Sequence, residues 1–342
     1  MGKNSKKSIP IWVVVLPFLV LLWLAADSEA ESQPRGPQPY GGKNQWDLVF
    51  NENFDGQALD RNKWTTCYWW GNEGCTIQSN HELEWYTPAN VSLRDGALQL
   101  TAQRQTVIGS DGNAYPYTSG MVSTGARSGN TKSPPLFAFE YGFVQVRAWV
   151  PKGQGLLPAI WMLPADQQSN PEIDVMEMLG SDPRTVHMNF HYRNSSGKEE
   201  ASEGQWISPT ELAGGWHVFA LDWEPGRITW FVDGIKRREF TQADLIPSKP
   251  MYLIIDLAVG GDWPGSPDAN TPFPSTFIID YVRVWKSGGD VAQSPTDDTH
   301  TDAMQPDQNS FPSCGPREIV TYSGSGMGSS PLPRSIRNAL HF

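Results

Sequence analysis

The chain has 342 residues and carries 26 Lys and Arg against 37 Asp and Glu, a formal net charge of −11. No basic block interrupts the body of the chain, which weighs against nucleic acid as a partner, since phosphate binding needs clustered cations. The length suits one large domain or two small ones. With 15 Trp, 32 Gly and 28 Pro, the composition points to many short strands and turns, with aromatic surface for a flat apolar ligand such as a sugar ring.

In chain order, Lys3, Lys6 and Lys7 precede an apolar run over 9–26 that closes on S-E-A (28–30), the pattern of an export signal cleaved after Ala30. The run is also long enough to stay as an N-terminal membrane anchor. Either reading places the rest of the chain outside the cytoplasm, secreted to the extracellular space or the periplasm, with no other membrane contact. Residues 31–44 read as a polar Pro/Gly linker. From 45 onward, short apolar runs recur: W-D-L-V-F (46–50), A-L-Q-L-T-A (97–102), F-V-Q-V-R-A-W-V (143–150), W-H-V-F-A-L-D-W (216–223), I-T-W-F-V (228–232), M-Y-L-I-I-D-L-A-V (251–259) and F-I-I-D-Y-V-R-V-W (277–285). Each reads as a strand, with D-G (95–96), E-P-G (224–226) and D-G (233–234) as turn signals between them. In 143–150, Gln145, Arg147 and Trp149 share a face opposite Val144, Val146, Ala148 and Val150.

Of three cysteines, Cys67 and Cys75 are expected to close a short loop in an oxidising compartment, leaving Cys314 unpaired. His187 and His191 are four apart, but without nearby Cys they make no zinc set. T-Q-A-D-L-I (241–246) is the one short helical turn, and the polar, aperiodic stretch 288–342 is expected to be a disordered tail. Together these features predict an all-β fold over 45–287, a jelly-roll sandwich of two antiparallel sheets, expected to be a monomer.

The stretch P-E-I-D-V-M-E-M-L-G (171–180) holds Glu172, Asp174 and Glu177 among apolar residues. On a strand, Glu172 and Asp174 share a face, and Glu177 falls one residue out of phase. A β-bulge between Asp174 and Glu177, with Met176 as the inserted residue, returns Glu177 to that face and sets three carboxylates in a row. Two carboxyls flanking a scissile bond are what glycoside hydrolysis requires, about 5–5.5 Å apart in the retaining mechanism. The shorter Asp174 between them would hold the nucleophile, and the accumulated negative charge would help the acid/base keep its proton near neutral pH. The same residues also read as a surface helix with Asp174 and Glu177 at i,i+3. That reading meets Pro171 and Gly180 at its flanks and no cationic partner within a helical turn.

E-I-D-V-M-E resembles the active-site signature of glycoside hydrolase family 16, in the bulged form of laminarinases and related β-glucanases. The resemblance extends in order through S-N-H-E-L-E-W-Y-T (79–87), G-Q-G-L-L-P-A-I-W-M-L-P (153–164), W-E-P-G-R-I-T-W-F-V-D-G (223–234) and L-A-V-G-G-D-W-P-G-S-P-D (257–268). It implies a jelly roll with a concave glycan-binding cleft, and an endo-β-glucanase that cuts internal β-1,3 or β-1,3-1,4 linkages through a covalent glycosyl-enzyme. Carried over by position, it makes Glu172 the nucleophile, Asp174 its assisting acid and Glu177 the acid/base. It makes Trp161 a sugar-stacking platform, sets Asn80 and Glu82 on sugar hydroxyls, His191 beside the catalytic strand and Trp263 on a cleft loop. It implies no catalytic cofactor, and a structural Ca2+ at Glu52, Gly96 and Asp280. Trp64, Trp223, Trp230 and Trp285 are expected in the core. Leu157 and Asp256 depart from the laminarinase pattern. M-L-G-S-D-P-R-T-V-H-M-N-F-H-Y (178–192) also looks like enzymes that cut bacterial exopolysaccharides such as succinoglycan. A depolymerase or transglycosylase of another β-linked polysaccharide, and a glycan-binding protein without catalysis, are the alternatives.

Overall fold

The computed structural model describes residues 37–42, 46–69, 75–127 and 132–287. The expected export signal or anchor (1–30), most of the 31–44 linker, and the 288–342 tail with Cys314 lie outside the described residues.

The apolar runs form strands because their β-branched and aromatic side chains alternate between two faces. They assemble into two eight-stranded sheets. The first sheet runs Ile235–Phe240, Arg227–Val232, Trp216–Glu224, Gly142–Trp149, Ser275–Ser287, Ala97–Ala102, Val91–Arg94, and Trp46–Glu52 also pairs with Ser275–Ser287. The second runs Glu199–Ser202, Phe190–Arg193, Glu172–Glu177, Leu156–Pro164, Met251–Val259, Met121–Ser123. Two shorter strands extend it, Thr185–His187 beside Glu172–Glu177 and Gln205–Ile207 beyond that. Pairing within both sheets is antiparallel, which hairpins can connect directly. Asp95–Gly96 and Asp233–Gly234 each have positive φ at both residues (55° and 72°, 51° and 74°), the geometry of a tight two-residue hairpin turn. The expected helical turn is a short 3-10 segment, Ala243–Leu245.

The core lies between the sheets. Val144, Val146 and Ala148 from one sheet meet Ile160, Met162, Ile173, Leu253 and Ile255 from the other. Trp64, Trp223 and Trp230 are packed inside it, as expected. Trp285 is equally buried but on the far face of the first sheet, where it joins Trp46, Phe143 and Ala220. That outer cluster is tied to part of the stretch read as linker. Trp285 Nε1 donates to the Pro37 carbonyl at 2.6 Å, the Gln38 side chain exchanges hydrogen bonds of 3.1 and 3.2 Å with the Trp46 backbone, and Gln145 Nε2 donates to the Tyr40 carbonyl at 3.1 Å. The domain thus reaches back to residue 37 rather than starting at 45. Composition concealed this because the stretch contributes mainly backbone carbonyls, which every sequence possesses.

The outward face of the second sheet divides into two halves. One half is roofed by a second cluster in which Tyr68, Trp69, Trp85 and Tyr115 gather with Trp161, Leu163, Tyr252 and Ile254. The Cys67–Cys75 disulfide, with Cα atoms 5.1 Å apart, lies within this roof. The other half bears the acids.

Candidate active site

On the strand Leu156–Pro164, Ala159 faces Glu177, Ile160 faces Met176 and Trp161 faces Asp174, so Val175 has no opposite number. The strand is therefore bulged between Asp174 and Glu177, but the extra residue is Val175, not Met176. Val175 and Met176 both enter the core, which brings Glu177 back to the face of Glu172 and Asp174. The sequence could show that one residue was surplus. Which one goes unpaired is decided by the register of the neighbouring strand.

A bulge interrupts the ladder, and buried backbone groups beside it need other partners. Trp230, reaching across the core from the first sheet, donates its indole N–H to the Asp174 carbonyl at 2.8 Å. The Asp174 N–H donates to the Asn189 carbonyl at 3.0 Å. Asn189 sits between two short strands that both pair with the bulged strand, so that His187 lies opposite Glu177 and His191 opposite Glu172.

The three acids are 2%, 1% and 4% exposed. His191 Nε2 lies 3.3 Å from Asp174 Oδ2 and 3.9 Å from Glu172 Oε1. Burial alone would favour the neutral ring. The Asp174 contact and the charges of Glu172, Asp174 and Glu177 outweigh it and push the imidazole up to about 9. A charged His191 thus offsets part of the carboxylate charge. One ligand atom each from Glu172, Asp174 and His191 lies within 4.8 Å of the others, so the ring sits against both carboxylates. At the other end, Asn189 Nδ2 donates to Glu177 Oε2 at 3.1 Å.

The remaining expected residues divide. Trp161 faces Asp174 but is fully buried under the aromatic roof, its Nε1 donating to Asp256 Oδ1 at 2.7 Å. It offers no open ring to a sugar, a correction that follows from its burial and from Tyr68 packing edge-on against it at 6.2 Å. Asn80 and Glu82 lie together near the Glu177 end of the sheet, where Glu82 bridges to Gly260 and the Asp262 N–H donates to the Asn80 carbonyl at 2.9 Å. Asn80 Nδ2 donates to Glu82 Oε1 at 3.0 Å, and Asn80 Oδ1 has no hydrogen-bond partner among the described residues. Trp263 is half-buried and packs edge-on against His187, opposite Glu177, with centroids 4.9 Å apart.

The sequence reading passed over Asn189, Glu84 and Tyr252. Tyr252 is buried beside Glu172, and burial together with that charge keeps its phenol protonated. Glu84 is fully buried and shares a hydrogen bond with Glu82. Burial and the Glu82 charge hold its carboxyl well above the usual range. Glu84 stands in the quoted H-E-L-E motif, two residues from Glu82, a spacing that puts both on one strand face.

At the expected calcium positions the side chains are already engaged. Glu52 Oε2 pairs with Lys63 at 3.1 Å, its Oε1 accepts from the Phe54 N–H at 3.0 Å, and Asp280 Oδ2 pairs with Arg147 at 2.7 Å. Two ion pairs leave these side chains with no surplus negative charge for Ca2+, which favours several anionic oxygens. The carboxylates as arranged do not fit the ion.

A two-sheet antiparallel sandwich with a row of buried acids on one outer face defines a class, the jelly-roll glycosidases. Within that class the chain belongs to the glycosyl hydrolases family 16, whose profile matches residues 68–283. It is 33% identical over 239 residues to "Endo-1,3-1,4-beta-glycanase EglC" of Rhizobium meliloti, covering 66% of this chain and 48% of that protein. It is 32% identical over 264 residues to the "Beta-glucanase" of Rhodothermus marinus, covering 70% of this chain and 85% of that protein. Among solved structures, the endo-beta-1,3-glucanase from Pyrococcus furiosus superposes with a TM-score of 0.62 at 33% identity, covering 71% of this chain and 95% of that one. The chain spans about half the length of EglC and 38% of "Glucan endo-1,3-beta-glucosidase A1" of Niallia circulans.

Proposed function

We propose that the protein hydrolyses internal β-1,3 or mixed β-1,3-1,4 linkages of a β-glucan with retention of configuration, by the roles carried over for the three acids. The observation that carries this reading is the bulged row of Glu172, Asp174 and Glu177, buried on one face and set among distinct partners. Glu172, beside the charged His191, attacks the anomeric carbon. Asp174 stands between the two and, through its contact with His191, keeps the ring's charge near the nucleophile. Glu177 gives its proton to the departing oxygen and later takes one from water. No catalytic cofactor enters these steps. Trp263, half-buried against His187, gives an aromatic edge near Glu177.

The names of the relatives support a β-glucan substrate. They include endo-1,3-1,4-beta-glycanases and endo-1,3-beta-glucosidases. The M-N-F-H segment beside the acids, together with the loss of Trp161 as a platform, keeps a second β-linked polysaccharide, of succinoglycan type, in the substrate panel. Reducing ends released from laminarin, lichenan and succinoglycan separate these readings, and binding without product would leave only a lectin. Proton NMR of the first product separates retention (β-anomer first) from inversion. The export reading of residues 1–30 supports a secreted enzyme, tested by N-terminal sequencing of protein from the culture medium.

A further inference from the structure

Asn189 is 5% exposed and touches two of the acids. Its Nδ2 donates to Glu177 Oε2 at 3.1 Å, its Oδ1 accepts from the Gly204 N–H at 3.2 Å, and its carbonyl accepts from the Asp174 N–H at 3.0 Å. We infer that Asn189 is a positioning residue that decides which oxygen of Glu177 carries the catalytic proton. This rests on the role proposed above for Glu177.

What each group can and cannot donate fixes the orientation of the Asn189 amide. A backbone N–H only donates, so the oxygen of the Asn189 amide must face Gly204. The NH2 end is then turned to Glu177, and an amide NH2 only donates. Oε2 therefore accepts whether Glu177 is protonated or ionised, and because a carbonyl oxygen accepts more strongly than a hydroxyl oxygen, the donor favours the acid's proton on Oε1.

Gly204 is itself held. Its carbonyl accepts from the Met188 N–H at 2.8 Å, and a Cβ at this position would lie 2.4 Å from Arg238 Cδ. Arg238 in turn donates to the Ser202 carbonyl at 2.9 Å and to Met188 O. The amide is thus set by backbone that Arg238 straps down.

In the glycosylation step the Oε1–H bond breaks and its proton goes to the glycosidic oxygen. The anomeric C–O bond breaks with its electron pair leaving on that oxygen, and a Glu172 oxygen bonds the anomeric carbon. In deglycosylation a water proton returns to Oε1 while the water oxygen bonds the anomeric carbon and Glu172 departs. Oε2 keeps the same donor throughout, so the carboxyl does not turn between the two half-reactions. The donor also favours the ionised form that must accept the proton from water.

Other charged or titratable groups facing Glu177 are Glu172 and Asp174 on its own strand, and His187 and His191 on the adjoining strands. Asp256 lies across Ala159, and Asp182 acts on His187. All are retained in the variants below.

The test compares kcat/KM against pH for wild type, Asn189→Ala and Asn189→Asp on phenyl and dinitrophenyl β-laminaribiosides. Asn189→Ala is expected to move the basic limb up by about one pH unit. It should lower kcat/KM about 100-fold on the phenyl glycoside, whose leaving group needs the proton, and only a few-fold on the dinitrophenyl glycoside. Asn189→Asp still accepts from Gly204 but sets a second carboxylate against Glu177, so its basic limb should move further up. It also serves as the test should the alanine variant fail to fold. Equal losses on both leaving groups with an unmoved limb would reduce Asn189 to a structural role and overturn the inference. The reading it rests on is checked separately. If Glu177→Ala with azide yields no β-glycosyl azide, the assignment of Glu177 fails, whereas rescue of that variant beside unmoved limbs in the Asn189 variants sinks the Asn189 inference alone.

Discussion

At the scale of single residues, two glutamates on one strand with different neighbours should fail differently when truncated. Glu172→Ala removes the group that bonds the anomeric carbon, so turnover of natural glucans should vanish while binding persists. Azide can fill the space and attack an activated aryl glycoside from that side, giving the α-glycosyl azide. Glu177→Ala still forms the covalent intermediate from an activated glycoside, and azide, needing no general base, should release it as the β-product. The same anomer from both variants would collapse the assignment. His191 makes a pH prediction. Its folded-state value is raised from 6.5 to about 9, so its charge contributes stability that is fully present below 6.5 and is lost as pH rises through about 9. The stability gap between wild type and His191→Gln in urea should therefore narrow across that window. A constant gap would mean that the ring is not charged by its carboxylate neighbours.

At the scale of the element, the bulged strand depends on a contact made from the other sheet. Trp230→Phe preserves most of the buried ring but removes the donor to the Asp174 carbonyl, at 2.8 Å in the wild type. A buried carbonyl left without its partner costs about 1–3 kcal/mol. The substitution should therefore destabilise by roughly that amount, and kcat should fall more than KM rises, since the defect lies behind the acids rather than in the sugar subsites. Urea denaturation with steady-state kinetics checks both. An unchanged kcat would show that the bulge holds its shape without the indole. The bulge itself was legible because acids at 172, 174 and 177 share one strand face only if one residue between 174 and 177 is inserted. The identity of the extra residue was not, because it depends on pairing with Leu156–Pro164.

For the whole molecule, the roof over half of the acid-bearing face includes the Cys67–Cys75 link, which spans a sequence separation of 8. Closing a loop of that size restricts the unfolded chain by about 2.5 kcal/mol. Cys67→Ser with Cys75→Ser, or reduction of the wild type, should lower the unfolding free energy by about that amount, measured by denaturant titration. No change on reduction would show that the bond is not formed in the protein as isolated. With Glu52 and Asp280 committed to Lys63 and Arg147, adding calcium after EDTA should move the melting temperature by less than about 1 °C. A rise of several degrees would restore the calcium expectation, with backbone carbonyls rather than these carboxylates as the main ligands.

The sequence by itself determined the strand content, the hairpin turns at Asp95–Gly96 and Asp233–Gly234, the disulfide pair, and the presence of three acids on one strand face. All of these are local. Side-chain periodicity, turn chemistry and short loop closure are set by residues within a few positions of one another. Tertiary structure alone decided which residues reach the acids from elsewhere. Asn189 was hidden because nothing in M-N-F-H indicates that its amide is fixed by Gly204 and aimed at Glu177. Trp161 was misplaced because its position on the strand predicts its face but not what lies over it. The roof that buries it comes from distant residues of the chain, Tyr68 among them, joined to it only by packing. The same holds for residues 37–42 and for the paired carboxylates at 52 and 280. A contact between distant segments is chosen by the geometry of the packed sheets, and no local pattern encodes it.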